Sequence, residues 1–198
     1  PKFVMETALS YDNQLYFNAL YFPAQAILLT VGFVYKPLLV RMAQMWADAE
    51  KRNRFHLVIL AIVAMVIALT LVVIFLMSWI GIPIMSFMYG VDFEQFRGLS
   101  FIMIAAGGVT AIIDFLYQVI TVLRRQKSVM KLYVITFGFS LFVPILLIDF
   151  TGLPGAVIGY LIVMTILMVL LVWEYISICL DLSKHPVSQN PVSVSVDE

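Results

Sequence analysis

The chain has 198 residues, 63% hydrophobic and 12% charged, with twelve basic and twelve acidic side chains and a formal net charge of zero. A mean hydropathy of +1.02 excludes a soluble domain of ordinary composition. No basic tract alternates with aromatics, so no nucleic-acid partner is expected, and the single cysteine, Cys179, leaves no disulfide framework.

The expected fold is all-α, a polytopic membrane helix bundle of about five transmembrane helices. Only helices and closed barrels satisfy every backbone N–H and C=O in lipid, and barrel strands alternate in polarity over about ten residues. Residues 57–80 instead run 24 positions without a charged side chain. As a helix that stretch is about 36 Å long, enough for a ~30 Å hydrocarbon layer. The spans read from the sequence are 15–40, 57–80, 99–123, 132–148 and 156–180, forming a bundle over 1–182.

The first ten residues carry Lys2 and Glu6 and do not read as a secretory signal. The start at Pro1 reads as that of a fragment or a processed product. In the first span Asn18, Tyr21, Gln25, Gly32 and Lys36 recur at helical spacing and share one face. Pro23 and Pro37 can kink that helix. The stripe reads as the wall of a polar cavity that binds substrate. Lys36 carries two readings: a cationic site for an anionic substrate, or a side chain snorkelling to the inner headgroups beside Arg41.

Residues 41–56 hold Arg41, Lys51, Arg52 and Arg54. Met42, Met45, Trp46 and Ala49 at helical spacing predict a short amphipathic helix in the inner interface. After the second span, 81–98 is aromatic and glycine-punctuated, with Arg97 its one basic residue, and is expected as a loop at headgroup level.

The third span places Gly107, Thr110, Asp114, Gln118, Thr121 and Arg125 on one face, with Tyr117 beside them. Asp114 is the one carboxylate deep in a span. It reads as a protonation site, a contact to sugar hydroxyls, a structural partner for Lys36 or a helix–helix hydrogen bond. Gly107, Gly108 and Gly138 would permit close helix packing. Arg124, Arg125, Lys127 and Lys131 follow, whereas 149–155 holds no cation. Gly152-Leu153-Pro154-Gly155 predicts a tight turn before the fifth helix. Glu174 lies between Trp173 and Tyr175 as in an interfacial belt. Residues 183–198 read as a disordered cytoplasmic tail. The alternation of cations places the N-terminus outside and the C-terminus inside by the positive-inside rule. His56 and His185 neighbour no candidate nucleophile, and no glycine-rich phosphate loop occurs, so no catalytic residues, no cofactor and no metal site are expected.

Pro1-Lys2-Phe3-Val4, Tyr16-Phe17 and Phe33-Val34-Tyr35-Lys36-Pro37-Leu38-Leu39 are similar to the second half of a bacterial polysaccharide transporter. So are Gly81-Ile82-Pro83-Ile84 with Met88-Tyr89-Gly90-Val91-Asp92-Phe93, Gly107-Gly108 leading to Leu123-Arg124-Arg125-Gln126, and Gly152-Leu153-Pro154-Gly155-Ala156. The resemblance covers the chain to about Leu180. It is to the flippases of lipid-linked oligosaccharides, within the multidrug/oligosaccharidyl-lipid/polysaccharide exporter superfamily. It implies two helical halves around a cavity, this chain supplying helices eight to twelve, in a bacterial cell membrane. It implies as partners membrane lipid, a polyprenyl-pyrophosphate-linked oligosaccharide and a missing N-terminal half. Lys36 and Arg125 are the basic positions it carries over. A multidrug-type exporter of the same superfamily, or a non-transporting subunit of a glycan-assembly complex, is the alternative function.

Overall fold

In the computed structural model the described residues are 11–48, 51–90, 92–123 and 126–184, and every element among them is helical. In chain order these are α1 (Tyr11–Tyr35), a 3-10 turn (Lys36–Leu38), α2 (Leu39–Ala47), α3 (Arg52–Leu76) and a π turn (Met77–Gly81). They continue as α4 (Ile82–Tyr89), a second 3-10 turn (Glu94–Phe96), α5 (Arg97–Val122), α6 (Gln126–Thr151) and α7 (Leu153–Lys184). Four stretches are long and apolar enough to cross a membrane: Asn13–Ala47, Arg52–Tyr89, Glu94–Val122 and Leu153–Leu180. Helix α6, with 26 residues, has about 39 Å of length for a fifth crossing. The expected polytopic helical class is the observed one.

Helix α5 is the centre. It packs on α1, α3 and α7, while α6 leans mainly on α7 as an antiparallel hairpin. Met103, Ile104, Phe115, Val119 and Ile120 of α5 are fully buried. Two consecutive glycines set how closely the neighbours come. A Cβ on Gly107 would lie 2.6 Å from the Ala24 Cβ of α1, and one on Gly108 would lie 2.4 Å from Thr70 Oγ1 of α3. Helices surrounded by lipid gain little from hydrophobicity, so close backbone approach and van der Waals contact do the holding. Gly138 faces open space instead, contrary to the packing role expected of it.

The two ends of the bundle are built differently. At the Trp46 end the amphipathic α2 turns Met42 inward, and Trp46 packs on Phe55 with ring centroids 5.0 Å apart. Arg52 lies over the Trp46 ring at 5.3 Å, and His56 Nδ1 is 2.5 Å from the Tyr175 hydroxyl. The short amphipathic helix expected here is present, with Ala49 outside the described residues. At the Phe93 end, buried Phe93 is ringed by Tyr16, Tyr89 and Phe96.

Three boundaries differ from the sequence reading. Residues 81–98 were expected as a loop, but the second span continues through the π turn into α4. Pro83 follows the π turn directly, so its missing N–H leaves a carbonyl of that turn free, and the Ser78 carbonyl accepts from Arg97. Helix α6 begins at Gln126, inside the expected basic loop. Helix α7 runs to Lys184, two positions past the expected end of the bundle. The tail prediction for 185–198 lies outside the described residues. Between α6 and α7 the predicted tight turn is present, with Gly152 at φ +63° and its N–H donating to the Ile148 carbonyl at 2.8 Å.

Candidate functional site

The polar residues singled out in the spans separate into two environments. One is a seam between α1, α5, α6 and α7. The spacing of 110, 114, 117, 118 and 121 brings these residues to one side of α5. Thr110 Oγ1 donates to the Ala106 carbonyl at 2.8 Å and lies 3.2 Å from the Tyr160 hydroxyl of α7. The Tyr160 ring meets Tyr21 of α1 edge-on at 5.9 Å. One turn further along α5, the Tyr35 hydroxyl of α1 donates to Asp114 Oδ2. Tyr35 is buried and tilted against Phe115 at 5.4 Å. A further turn on, Tyr117 meets Tyr133 of α6 at 5.9 Å, and Tyr133 is within electrostatic reach of Asp114. Gln118 is half-buried beside them, and Thr121 donates to the Tyr117 carbonyl at 2.9 Å.

The other environment is the outer surface of α1. Asn18, Gln25 and Lys36 are exposed. At 100° per residue they lie roughly 145° around the helix from the buried row of Leu20, Ala24, Ile27 and Val31. Phe22, Leu29 and Phe33 flank them, at 72%, 63% and 81% exposure. Tyr21 is half-buried and Gly32 buried, so the five-residue stripe grades from the seam to the surface. Asn18 and Lys36 are about 27 Å apart along the axis, close to a full membrane thickness. The stripe is a track and not a single pocket.

Lys36 folds back along α1. Its Cε and Nζ lie 3.5 and 3.6 Å from where a Cβ on Gly32 would be. The ammonium therefore sits about one turn, ~5 Å, nearer the middle of α1 than its own Cα does. That is the opposite direction from a snorkel toward α2. No ion pair joins Lys36 to Asp114 among the described residues; the pairs there are Lys51–Asp48 and Arg97–Glu94, both exposed. Asp114 takes its hydrogen bond from Tyr35 instead. Arg125 lies outside the described residues.

The structure thus joins Asp114 and Gln118 in the seam and leaves Asn18, Gln25 and Lys36 on the adjoining surface. Tyr35, Tyr133 and Tyr160 belong to the seam and were not singled out from the sequence. Tyr35 carried a usable signal. It lies fourteen positions after Tyr21, close to four full turns, and so on the same side of α1. Chemically, the seam pairs hydroxyls and one carboxylate between aromatic rings, with Tyr35 bonded to Asp114 and Thr110 beside Tyr160. Among the described residues no group of three His, Cys, Asp or Glu side chains comes together to hold a metal. The chain matches no protein-family model, no curated protein and no solved structure.

Proposed function

We propose that this chain is one half of a membrane transporter that flips lipid-linked oligosaccharides, with α1 and α5 presenting its substrate-facing surface. The observation that supports it is the exposed track of Asn18, Gln25 and Lys36 on the outside of the bundle. A lysine ammonium turned away from the headgroups loses hydration, and an amide facing hydrocarbon forfeits its hydrogen bonds. A second helical bundle that encloses water in front of α1 removes that cost. The track then becomes one wall of a cavity, and the tyrosine seam its floor. Lys36, turned toward the middle of α1, meets the anionic pyrophosphate. Gln25, Asn18, Asp114 and Gln118 meet sugar hydroxyls, and the polyprenyl tail stays in lipid. The motif resemblance supports the same reading. In it the helices cross a bacterial cell membrane with the N-terminal side outside, and the two halves rock about the cavity.

The test is export of lipid-linked glycan by cells whose transporter carries Lys36→Ala, Arg125→Ala or Asp114→Asn, at matched membrane abundance. Each variant is expected to lower export, with Lys36→Arg retaining more than Lys36→Ala because the charge is kept. Wild-type export by both Lys36→Ala and Arg125→Ala would reject the basic cavity.

A further inference from the structure

At the Trp46 end one cation is held in place without an acceptor. Arg52 opens the second span, Arg52–Tyr89, at the corner where α2 gives way to α3. Its guanidinium carbon lies over the Trp46 ring, 5.3 Å from the ring centre. Its Nε is buried and has no hydrogen-bond partner among the described residues. Lys51 beside it differs, because Asp48 takes its charge at 2.6 Å. The ion pairs among the described residues, Lys51–Asp48 and Arg97–Glu94, leave out both Arg52 and Arg54.

The aromatic wall under Arg52 is itself fixed. Trp46 packs on Phe55 at 5.0 Å and meets His56 edge-on at 6.5 Å, and His56 is tied to Tyr175 of α7. Helices α2, α3 and α7 together therefore set where the guanidinium sits. A guanidinium carries five N–H donors in a planar fork that matches phosphate oxygens. The face of Trp46 attracts the cation but offers those donors no lone pair. A buried donor without a partner is destabilising until an acceptor reaches it. Arg52 and Arg54 also put positive charge in the first turn of α3, where no acidic residue stands, against the helix dipole.

Depth selects the acceptor. The span Asn13–Ala47 ends at this corner and Arg52–Tyr89 begins there, so in a membrane the corner falls at headgroup level. Helix α2 buries Met42 and leaves Arg41, Ala43 and Gln44 exposed, which suits an element lying along a bilayer surface. The anions of that layer are lipid phosphates. We propose that Arg52, held over Trp46, binds the phosphate of an anionic phospholipid and seats one headgroup at the corner between α2 and α3. A zwitterionic headgroup would bring a further cation beside Arg52 and Arg54, so the anionic one is preferred. Both leaflets carry phosphates, so the seat serves whichever end of the bundle faces the cytoplasm.

The test measures lipid binding to the whole chain in a neutral detergent by native mass spectrometry. The probes are phosphatidylglycerol, phosphatidylcholine and inorganic phosphate. The chain should retain one phosphatidylglycerol in preference to phosphatidylcholine. Arg52→Gln should weaken that binding about tenfold, the factor carried by one charge-assisted hydrogen bond. Arg52→Lys should recover only part of it, since the charge is kept without the fork. Arg54 lies roughly 160° around α3 from Arg52, so Arg54→Gln should change the affinity less than about twofold. Circular dichroism melting of the lipid-free variants, with Arg52→Lys as the conservative change, separates loss of the seat from loss of the fold. Unchanged binding by Arg52→Gln would overturn the assignment. Equal losses from Arg52→Gln and Arg54→Gln would do the same, since they report a diffuse basic surface. Equal affinity for phosphatidylcholine, or displacement of the lipid by inorganic phosphate, would also count against an anionic-lipid seat.

Discussion

Tyr35 and Asp114 are 79 positions apart, and one hydrogen bond between them ties α1 to α5. Asp114 is half-buried and Tyr35 fully so. Removing the donor leaves a carboxylate that has lost its partner, which costs about 1–3 kcal/mol. Tyr35→Phe should therefore lower the unfolding temperature in detergent, and Asp114→Leu should lower it as well. The double variant should lose less than the sum, because neither partner is then orphaned. Strict additivity would mean that the hydrogen bond holds nothing. Lys36→Met combined with Asp114→Leu should be additive, since those two side chains do not touch. This separates the alternatives for Asp114 that spacing alone left open, because a structural pairing with Lys36 would make that second pair non-additive instead.

Among the helices, α5 depends on its two glycines in a way that α6 does not depend on Gly138. A methyl group at Gly107 meets the Ala24 Cα at 2.7 Å and its carbonyl oxygen at 2.9 Å, and backbone cannot move aside as a flexible side chain can. Gly107→Ala should destabilise the bundle by about 1–3 kcal/mol through overpacking. Gly138→Ala meets nothing within 4 Å, so it should be neutral or stabilise by about 0.5–1 kcal/mol through helix propensity. Thermal unfolding of the two single variants checks this, and equal effects would contradict the packing described. The helices themselves were legible in the sequence, because long uncharged runs have few alternatives in lipid. So was the alignment of Asn18, Gln25 and Lys36, since helical spacing fixes relative azimuth. Which way that face points was not legible. Lipid is as apolar as leucine, so a membrane helix carries little amphipathic signal to tell inside from outside. The glycines and aromatics of 81–98 misled too, and so would Pro83 have done. A proline ends most helices, but the π turn before it lets the chain continue as α4. The Tyr35–Asp114 contact, between residues 79 positions apart, leaves no mark in local periodicity.

For the whole molecule, the arrangement of charge decides how five helices sit in a membrane. The Trp46 end gathers Arg41, Lys51, Arg52 and Arg54, whereas the Phe93 end holds Arg97, clasped to Glu94 and Ser78, beside Asp92. Translocating a cation across the bilayer is disfavoured, so the proposed orientation puts the end richer in Lys and Arg on the cytoplasmic side. The packing reinforces this asymmetry. At the Trp46 end an amphipathic helix lies on the bundle with its tryptophan against Phe55, the pattern of an element resting in the headgroup layer. At the Phe93 end a buried aromatic cluster closes the bundle instead. Single cysteines in a Cys179→Ser background turn this into a measurement in intact cells. Asn53 and Asp92 are both exposed and lie at opposite ends, so an impermeant thiol reagent distinguishes them. Asn53→Cys should be protected until the cells are permeabilised, and Asp92→Cys should react from outside without permeabilisation. Lys127→Cys, in the second basic segment, should follow Asn53→Cys. Labelling of Asn53→Cys in intact cells would reverse the orientation. It would also move the cation on Lys36 to the half of the membrane facing away from the cytoplasm, and the proposed route of an anionic headgroup past Lys36 would have to begin at the other end of α1.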